Sequence, residues 1–182
     1  MNIKLNRLNK TRAYLIGGMQ YIDGSGWRDI VQKELQKIGI VVFNPYNHPF
    51  VNSTIEDNDA RKKLEILIKL KKYDEVSEIV RKIRSEDLRC VDICDFCFVY
   101  INPIYPTVGT WEEVFWANRM KKPIFFCVEG GIDKLPMWMY GVIPYKYVYS
   151  NIYEAIDVLK KIDNGKKKID SDRWRLLREE FR

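Results

Sequence analysis

The sequence predicts an α/β protein with a single doubly wound, five-stranded parallel sheet and flanking helices. Three observations carry this. Short runs that are apolar throughout alternate with longer amphipathic segments, the pattern of strands covered on both faces by crossover helices. The first three of those runs stop at glycine, asparagine or proline, residues that end strands. The length of 182 residues, 46% hydrophobic and 31% charged, fits one domain with a full core better than two.

Arg12 to Gly18 (RAYLIGG) reads as a buried strand that ends in glycines. Gly24-Ser25-Gly26 leads into a helix over 27–38, whose Trp27, Ile30, Val31, Leu35 and Ile38 keep to one face. Ile40 to Phe43 is a second strand, stopped by Asn44-Pro45. From Thr54 to about Val91 the pattern is helical and charged, with a break near 71–74. A third strand spans Asp95 to Ile101, a helix Thr110 to Met120, and a fourth strand Pro123 to Val128. Leu135 to Pro144 is irregular, Tyr145 to Tyr149 is a fifth strand, and Ile152 to Ile162 a closing helix. Right-handed crossovers then give a flavodoxin-like strand order 2-1-3-4-5. The main α/β domain is placed at 1–163, followed at 164–182 by a basic linker and a short terminal helix over 171–181.

No segment approaches the roughly 18 apolar residues of a membrane helix, and no apolar stretch of signal-peptide length follows the basic first residues. No membrane partner is expected, and the cytoplasm (a host's, if the gene is a phage's) is the expected location. Cys90-x3-Cys94-x2-Cys97 has the spacing of a ligand cluster. Cys94 and Cys97, however, straddle the start of a buried strand, and the single histidine, His48, is far away in sequence. Reduced structural thiols are therefore expected, with no metal site. The net charge of +6 has much of its excess between Lys160 and Arg182. It permits a phosphate-bearing or nucleic-acid partner, although no nucleic-acid-binding signature supports the latter.

No GxGxxG follows the first strand and no phosphate-loop motif is present, which argues against a dinucleotide enzyme or a P-loop NTPase. One histidine makes a nucleophilic triad a weak option. Carboxylates and tyrosines remain. In Thr107-Val108-Gly109-Thr110-Trp111-Glu112-Glu113 a glycine turn feeds a helix at the carboxyl edge of the third strand, with Glu113 expected in its first turn. A carboxylate there is held ionised by the helix dipole, and an anion so placed can stabilise or attack an oxocarbenium-like sugar. Thr110-x-x-Glu113 is equally a capping box, in which both side chains only satisfy orphan N–H groups.

The pattern Tyr14-Leu15-x-Gly17, an aspartate-rich helix-to-strand junction, and Gly109-Thr110-x-x-Glu113-x3-Ala117 resembles the nucleoside 2-deoxyribosyltransferase superfamily, which includes nucleotide N-glycoside hydrolases. The resemblance spans most of Arg12 to Ile143. The runs GTWEEVFWANRMKKPI and LPMWMYGVIP are most similar to versions carried by bacteriophages. The resemblance implies Glu113 as nucleophile, in the register set by Ala117, with Glu112 the adjacent alternative. It implies Asp87, eight residues before Asp95, as the catalytic aspartate that protonates the departing base or holds the sugar, with Asp92 the alternative register. Tyr14 matches the tyrosine that orients the nucleophile. Gly17 and Gly18 match the close approach of backbone to substrate.

Two departures bear on the substrate. Thr107 stands where members often carry an aspartate that holds the sugar hydroxyls. Pro136 stands where a neighbouring subunit can supply an asparagine to the acceptor site. Arg28 and His48 are candidate phosphate or base contacts, Trp138 a candidate base-stacking residue, and Gly109 and Thr110 complete the expected substrate-binding loop. The implied chemistry is cleavage or transfer of the N-glycosidic bond of a 2′-deoxynucleoside or nucleotide, without cofactor, by a homo-oligomer whose partners are the nucleoside or nucleotide and a nucleobase. A nucleoside 5′-monophosphate N-glycosidase is the nearest alternative. A nucleotide sensor or a nucleic-acid-binding accessory protein is the non-enzymatic one.

Overall fold

The structure is a computed structural model that describes residues 6–19, 24–47, 50, 58–105 and 107–168. His48 and the terminal helix expected over 171–181 lie outside the described residues. Five parallel strands form one sheet: β1 (Arg12–Gly17), β2 (Val41–Phe43), β3 (Phe96–Ile101), β4 (Ile124–Val128) and β5 (Val148–Tyr149). Their order is β2-β1-β3-β4-β5, as the apolar runs and the crossover rule predict. The helices are α1 (Gly24–Gln36), α2 (Asn58–Lys69), α3 (Tyr73–Ile93), α4 (Val108–Arg119) and α5 (Ile152–Asp163).

Strand alternation divides the core into two layers. Ala13 and Leu15 of β1, Phe96 and Phe98 of β3, and Phe125 and Cys127 of β4 face α1 and α5. Tyr14 and Ile16, Cys97, Val99 and Ile101, then Phe126 and Val128 face the opposite way, under α3, α4 and the segment Leu135–Ile143. Helix α5 buries Ile152, Ala155, Ile156, Leu159 and Ile162, one continuous stripe at helical spacing, and Asn151 caps its start by accepting the Glu154 N–H at 3.0 Å. Among the described residues no helix is long and apolar enough to cross a membrane.

Several boundaries differ from the sequence expectation. Helix α1 begins at Gly24, so the Gly-Ser-Gly segment is its first turn rather than its lead-in. The fifth strand keeps only Val148 and Tyr149, because Tyr145–Tyr147 winds into a tight turn after Pro144. Helix α4 starts at Val108 with Thr107 as N-cap residue, which places Glu113 in the second turn rather than the first. The dipole of that helix therefore contributes less to Glu113 than its expected place implied, since the effect fades beyond the first turn.

All four cysteines are free and buried. The Cys94 and Cys97 sulfurs are 3.7 Å apart, and the Cys94 thiol donates to the Val91 carbonyl at 3.3 Å. Among the described residues no three histidine, cysteine, aspartate or glutamate side chains converge as a metal cluster. Burial pushes the Cys90 and Cys127 thiols up, and a hydrogen bond with Cys94 together with burial does the same for Cys97. Burial likewise raises the phenols of Tyr14 and Tyr149, and that of Tyr100 to about 12.

These groups keep their protons in the folded chain at a pH where an unfolded chain releases them. Their contribution to stability is complete below the unfolded values and is lost as pH rises toward the folded ones. Thermal melts between about pH 7 and about pH 11 should show a midpoint that is level at first and falls from about pH 9. A midpoint that stays level to the top of that range would contradict this account.

Candidate active site

In a doubly wound sheet the crevice for ligands opens where the strand order reverses, at the carboxyl ends of the two central strands. Here those strands are β1 and β3, followed by Gly17-Gly18 and by the loop that reaches Thr107. The two loops touch: a Cβ on Gly18 would lie 3.0 Å from the Thr107 methyl. A Cβ on Gly17 would lie 2.6 Å from the Tyr100 carbonyl oxygen and 2.9 Å from the Trp27 ring. Glycine at 17 is thus required by the packing of β3 and α1 against the turn.

Arg28 is fully buried beneath this turn. Its guanidinium donates to the Gly17 carbonyl at 2.6 Å and to the Gly18 carbonyl at 3.4 Å. It also lies 4.5 Å over the Trp27 ring and 5.4 Å from the centre of the Tyr46 ring. Burial lowers its pKa, and the nearby Tyr14 and Tyr46 phenols and Glu113 and Asp87 carboxyl groups act against that lowering. Arg28 therefore holds the turn from inside; the sequence offered it as a ligand contact.

On the other side of the sheet, three residues from three elements meet. The Tyr14 hydroxyl of β1 lies 2.5 Å from Glu113 Oε1 and 3.2 Å from Asp87 Oδ1. Local structure explains why. In α4 the buried residues Thr110, Glu113, Val114 and Ala117 form one stripe, so Glu113 occupies a position where an apolar residue would be ordinary. In α3, Asp87 falls between buried Ile83 and buried Cys90 and Val91, again on the inward stripe. Tyr14 points at both because its neighbours Ala13 and Leu15 face the other layer. Glu113 is only 8% exposed. Burial, followed by the charges of Glu113 and Asp87, raises the Tyr14 pKa well above the ordinary phenol value, so Tyr14 remains a donor.

The alternatives left open by the sequence separate in space. Glu112 points outward and pairs with Arg84, whose Nε lies 2.8 Å from Oε2, and this bond lowers the Glu112 pKa. Asp92 accepts the Trp116 indole N–H at 2.8 Å. Asp95 binds the Arg12 backbone N–H at 2.7 Å, at the end of the sheet away from the crevice. The capping-box reading of Thr110 and Glu113 does not hold, because the N-cap is Thr107 and its side chain makes no capping hydrogen bond. Gly109 is exposed, with nothing within 4 Å of where a Cβ would stand. Trp138 is 79% exposed on the turn Met137–Gly141, whereas Met139 is the residue of that turn that enters the core. Cys90, three residues after Asp87, is a neighbour of Tyr14 that motif reading missed; its place on the inward stripe of α3 was the available signal.

No protein-family model and no curated protein matches the sequence. Among solved structures, the chain is similar to the 2-deoxyribosyltransferase of the psychrotolerant bacterium Bacillus psychrosaccharolyticus. The identity is 15%, the match covers 82% of this chain and 90% of that one, and the TM-score is 0.53. The chain has the fold of a 2-deoxyribosyltransferase. A CMP N-glycosidase of Clostridium botulinum also matches, at 15% identity over 82% of this chain and 97% of that one, with a TM-score of 0.47. In this 2-deoxyribosyltransferase fold, the Tyr14–Glu113–Asp87 cluster lies on the α3/α4 face of the sheet and the Arg28-backed glycine turn at its carboxyl edge.

Replacing Arg28 by Met should leave the Gly17 carbonyl without its donor and lower the unfolding free energy by about 2 kcal/mol. Arg28→Lys, which keeps a charge but not the planar fork, should fall in between. Urea denaturation of the three proteins measures the effect; equal midpoints would mean that Arg28 does not hold the turn.

Proposed function

We propose that the chain belongs to the nucleoside 2-deoxyribosyltransferase superfamily and cleaves the N-glycosidic bond of a 2′-deoxynucleoside or nucleotide by double displacement. The observation that carries this reading is the buried Glu113 carboxylate held at 2.5 Å by Tyr14, with Asp87 on the other side of the same hydroxyl. The Glu113 and Asp87 oxygens can be no farther apart than these two bonds laid end to end. That is below the roughly 6.5 Å at which inverting pairs begin, and so suits a covalent glycosyl intermediate.

Glu113 attacks C1′ while the C1′–N bond breaks and Asp87 gives its proton to the departing base. The carboxylate needs no activation beyond its position, because the Tyr14 hydrogen bond aims it. A free base, or water, then displaces Glu113 from C1′ and restores the enzyme. Gly18 and Thr107 form the wall nearest the sugar, Gly109 leaves room beside it, and Trp138 is free to stack on a base. The reading needs no metal or organic cofactor. A cytoplasmic homo-oligomer that acts on small molecules completes it.

Base transfer is the preferred outcome. Hydrolysis of a nucleoside 5′-monophosphate is the second reading, favoured by Pro136 in place of the acceptor-site asparagine and by the basic excess of the chain. Incubation with 2′-deoxynucleosides and their monophosphates, with and without a free acceptor base, separates the two. Base exchange marks a transferase, and free sugar or sugar phosphate marks a hydrolase. Glu113→Gln should lower either rate by at least ~10³-fold with an unchanged melting curve, whereas Glu112→Gln should leave the rate within severalfold. No base release by the unaltered protein from any of these substrates would refute the reading.

A further inference from the structure

A phenol carries one hydrogen, yet the Tyr14 oxygen lies within hydrogen-bonding distance of two carboxyl groups. The shorter contact, 2.5 Å to Glu113, takes that hydrogen. At 3.2 Å Asp87 either shares that hydrogen weakly or, when protonated, donates its own to the phenol oxygen, which is the stronger arrangement. That direction makes a chain from the Asp87 carboxyl through the Tyr14 hydroxyl to the Glu113 carboxylate, with a single negative charge at the Glu113 end. One negative charge beside a fully buried phenol needs less compensation than two.

We propose that Tyr14 is a hydrogen-bond switch: it donates to Glu113 in the free enzyme and to Asp87 once the sugar is bonded to Glu113. The inference rests on the double-displacement reading above. In the first half-reaction the Glu113–C1′ bond forms, the C1′–N bond breaks with its electron pair on the base, and the Asp87 proton passes to that base. Glu113 is now a neutral ester and Asp87 a carboxylate, so the negative charge has crossed from one side of Tyr14 to the other. Rotation about the phenol C–O bond lets the hydrogen follow it. In the second half-reaction the acceptor base or water gives its proton to Asp87 and its lone pair to C1′. The Glu113–C1′ bond returns its electrons to Glu113, and the hydroxyl turns back. Tyr14 keeps its hydrogen throughout, in accord with its raised pKa.

Among the described residues, Cys90 from α3 and Arg28 from α1 also act on Tyr14. The Cys90 thiol is pushed up and stays neutral, and Arg28 is a constant cation tied to the Gly17 carbonyl. The titrating partners are therefore Asp87 and Glu113.

Tyr14→Phe tests this through the pH profile of kcat/KM. Glu113 loses a donor that favours its anion, so the acid limb should move up. Asp87 loses an acceptor that favours its protonated form, so the alkaline limb should move down. Each shift should be about one pH unit, and the profile narrows from both sides. Movement of the acid limb alone would mean that Tyr14 only aims Glu113; a lower rate with both limbs in place would mean that it only packs. Either result overturns the switch.

A titration of the substrate-free protein with carboxyl-¹³C aspartate, read by NMR, needs no turnover. Asp87, assigned by the signal lost in Asp87→Asn, should still be protonated near neutral pH. An ionised Asp87 in a protein that still releases base would sink the switch and leave N-glycosidic cleavage by Glu113 standing. A protonated Asp87 in a protein that releases no base would sink the glycosidase reading instead.

Discussion

The arrangement depends on placing a carboxylate in the core-facing stripe of a helix. Glu113 lies where α4 otherwise presents Val114 and Ala117 to the sheet. An ion there is unfavourable by several kcal/mol unless a donor meets it. The donor is a phenol from the sheet itself. Tyr14 sits on β1, which has β2 on one side and β3 on the other, so the oxygen that satisfies Glu113 is carried by one of the least mobile positions in the fold. An apolar residue at 113 would pack without this requirement. Retaining the polar pair fixes the position of a carboxylate better than it serves stability, as the proposed attack by Glu113 requires.

The same strand also supplies the glycine turn, and the two faces of the sheet divide the work. Toward α3 and α4, β1 presents Tyr14 to the carboxyl groups. Past its end, Gly17 and Gly18 turn their carbonyls onto Arg28, which is stacked between Trp27 and Tyr46. A trans peptide directs its N–H opposite to its C=O. Holding two successive carbonyls inward therefore directs the following amides away from Arg28, and the clamp sets the shape of the crevice without entering it. The loop beyond β2 is tied to the same helix, as Asn44 and Asn47 both donate to the Gln32 side chain, at 2.8 and 2.9 Å.

The first four strands were legible because each contains an unbroken apolar run, and the strand order followed from right-handed crossovers. Helix starts were less so. Glycine at 24 and at 109 reads as a breaker, yet both residues lie within first turns, where tertiary packing of the helix body outweighs local propensity. The choice between Glu112 and Glu113 was open to pattern reading, since Thr110, Glu113, Val114 and Ala117 repeat at helical spacing and Glu112 does not join them. The meeting of Tyr14 with Asp87 was not, because 73 residues separate them and only the assembled sheet and helices bring them together. Arg28 was the least legible. Nothing in its surroundings in the chain distinguishes an arginine on a surface helix from one folded under a neighbouring turn.

Two carboxyl groups on separate helices can share one hydroxyl only if the helices cannot slide, and polar ties between α3 and α4 supply that restraint. Arg84, three residues before Asp87, pairs with Glu112, the residue before Glu113. Asp92, five residues after Asp87, accepts the indole N–H of Trp116, three residues after Glu113. Just beyond, the buried Lys122 ammonium donates to the Asp92 carbonyl at 2.8 Å and to the Cys94 carbonyl at 2.5 Å, which closes the end of α3 where the helix dipole is negative. Exposed ion pairs add little stability singly. Here their value is positional: the ties bracket the carboxyl pair on both sides. Asp87 and Glu113 then have little freedom to move, which is the rigidity that the proposed hydrogen-bond switch requires.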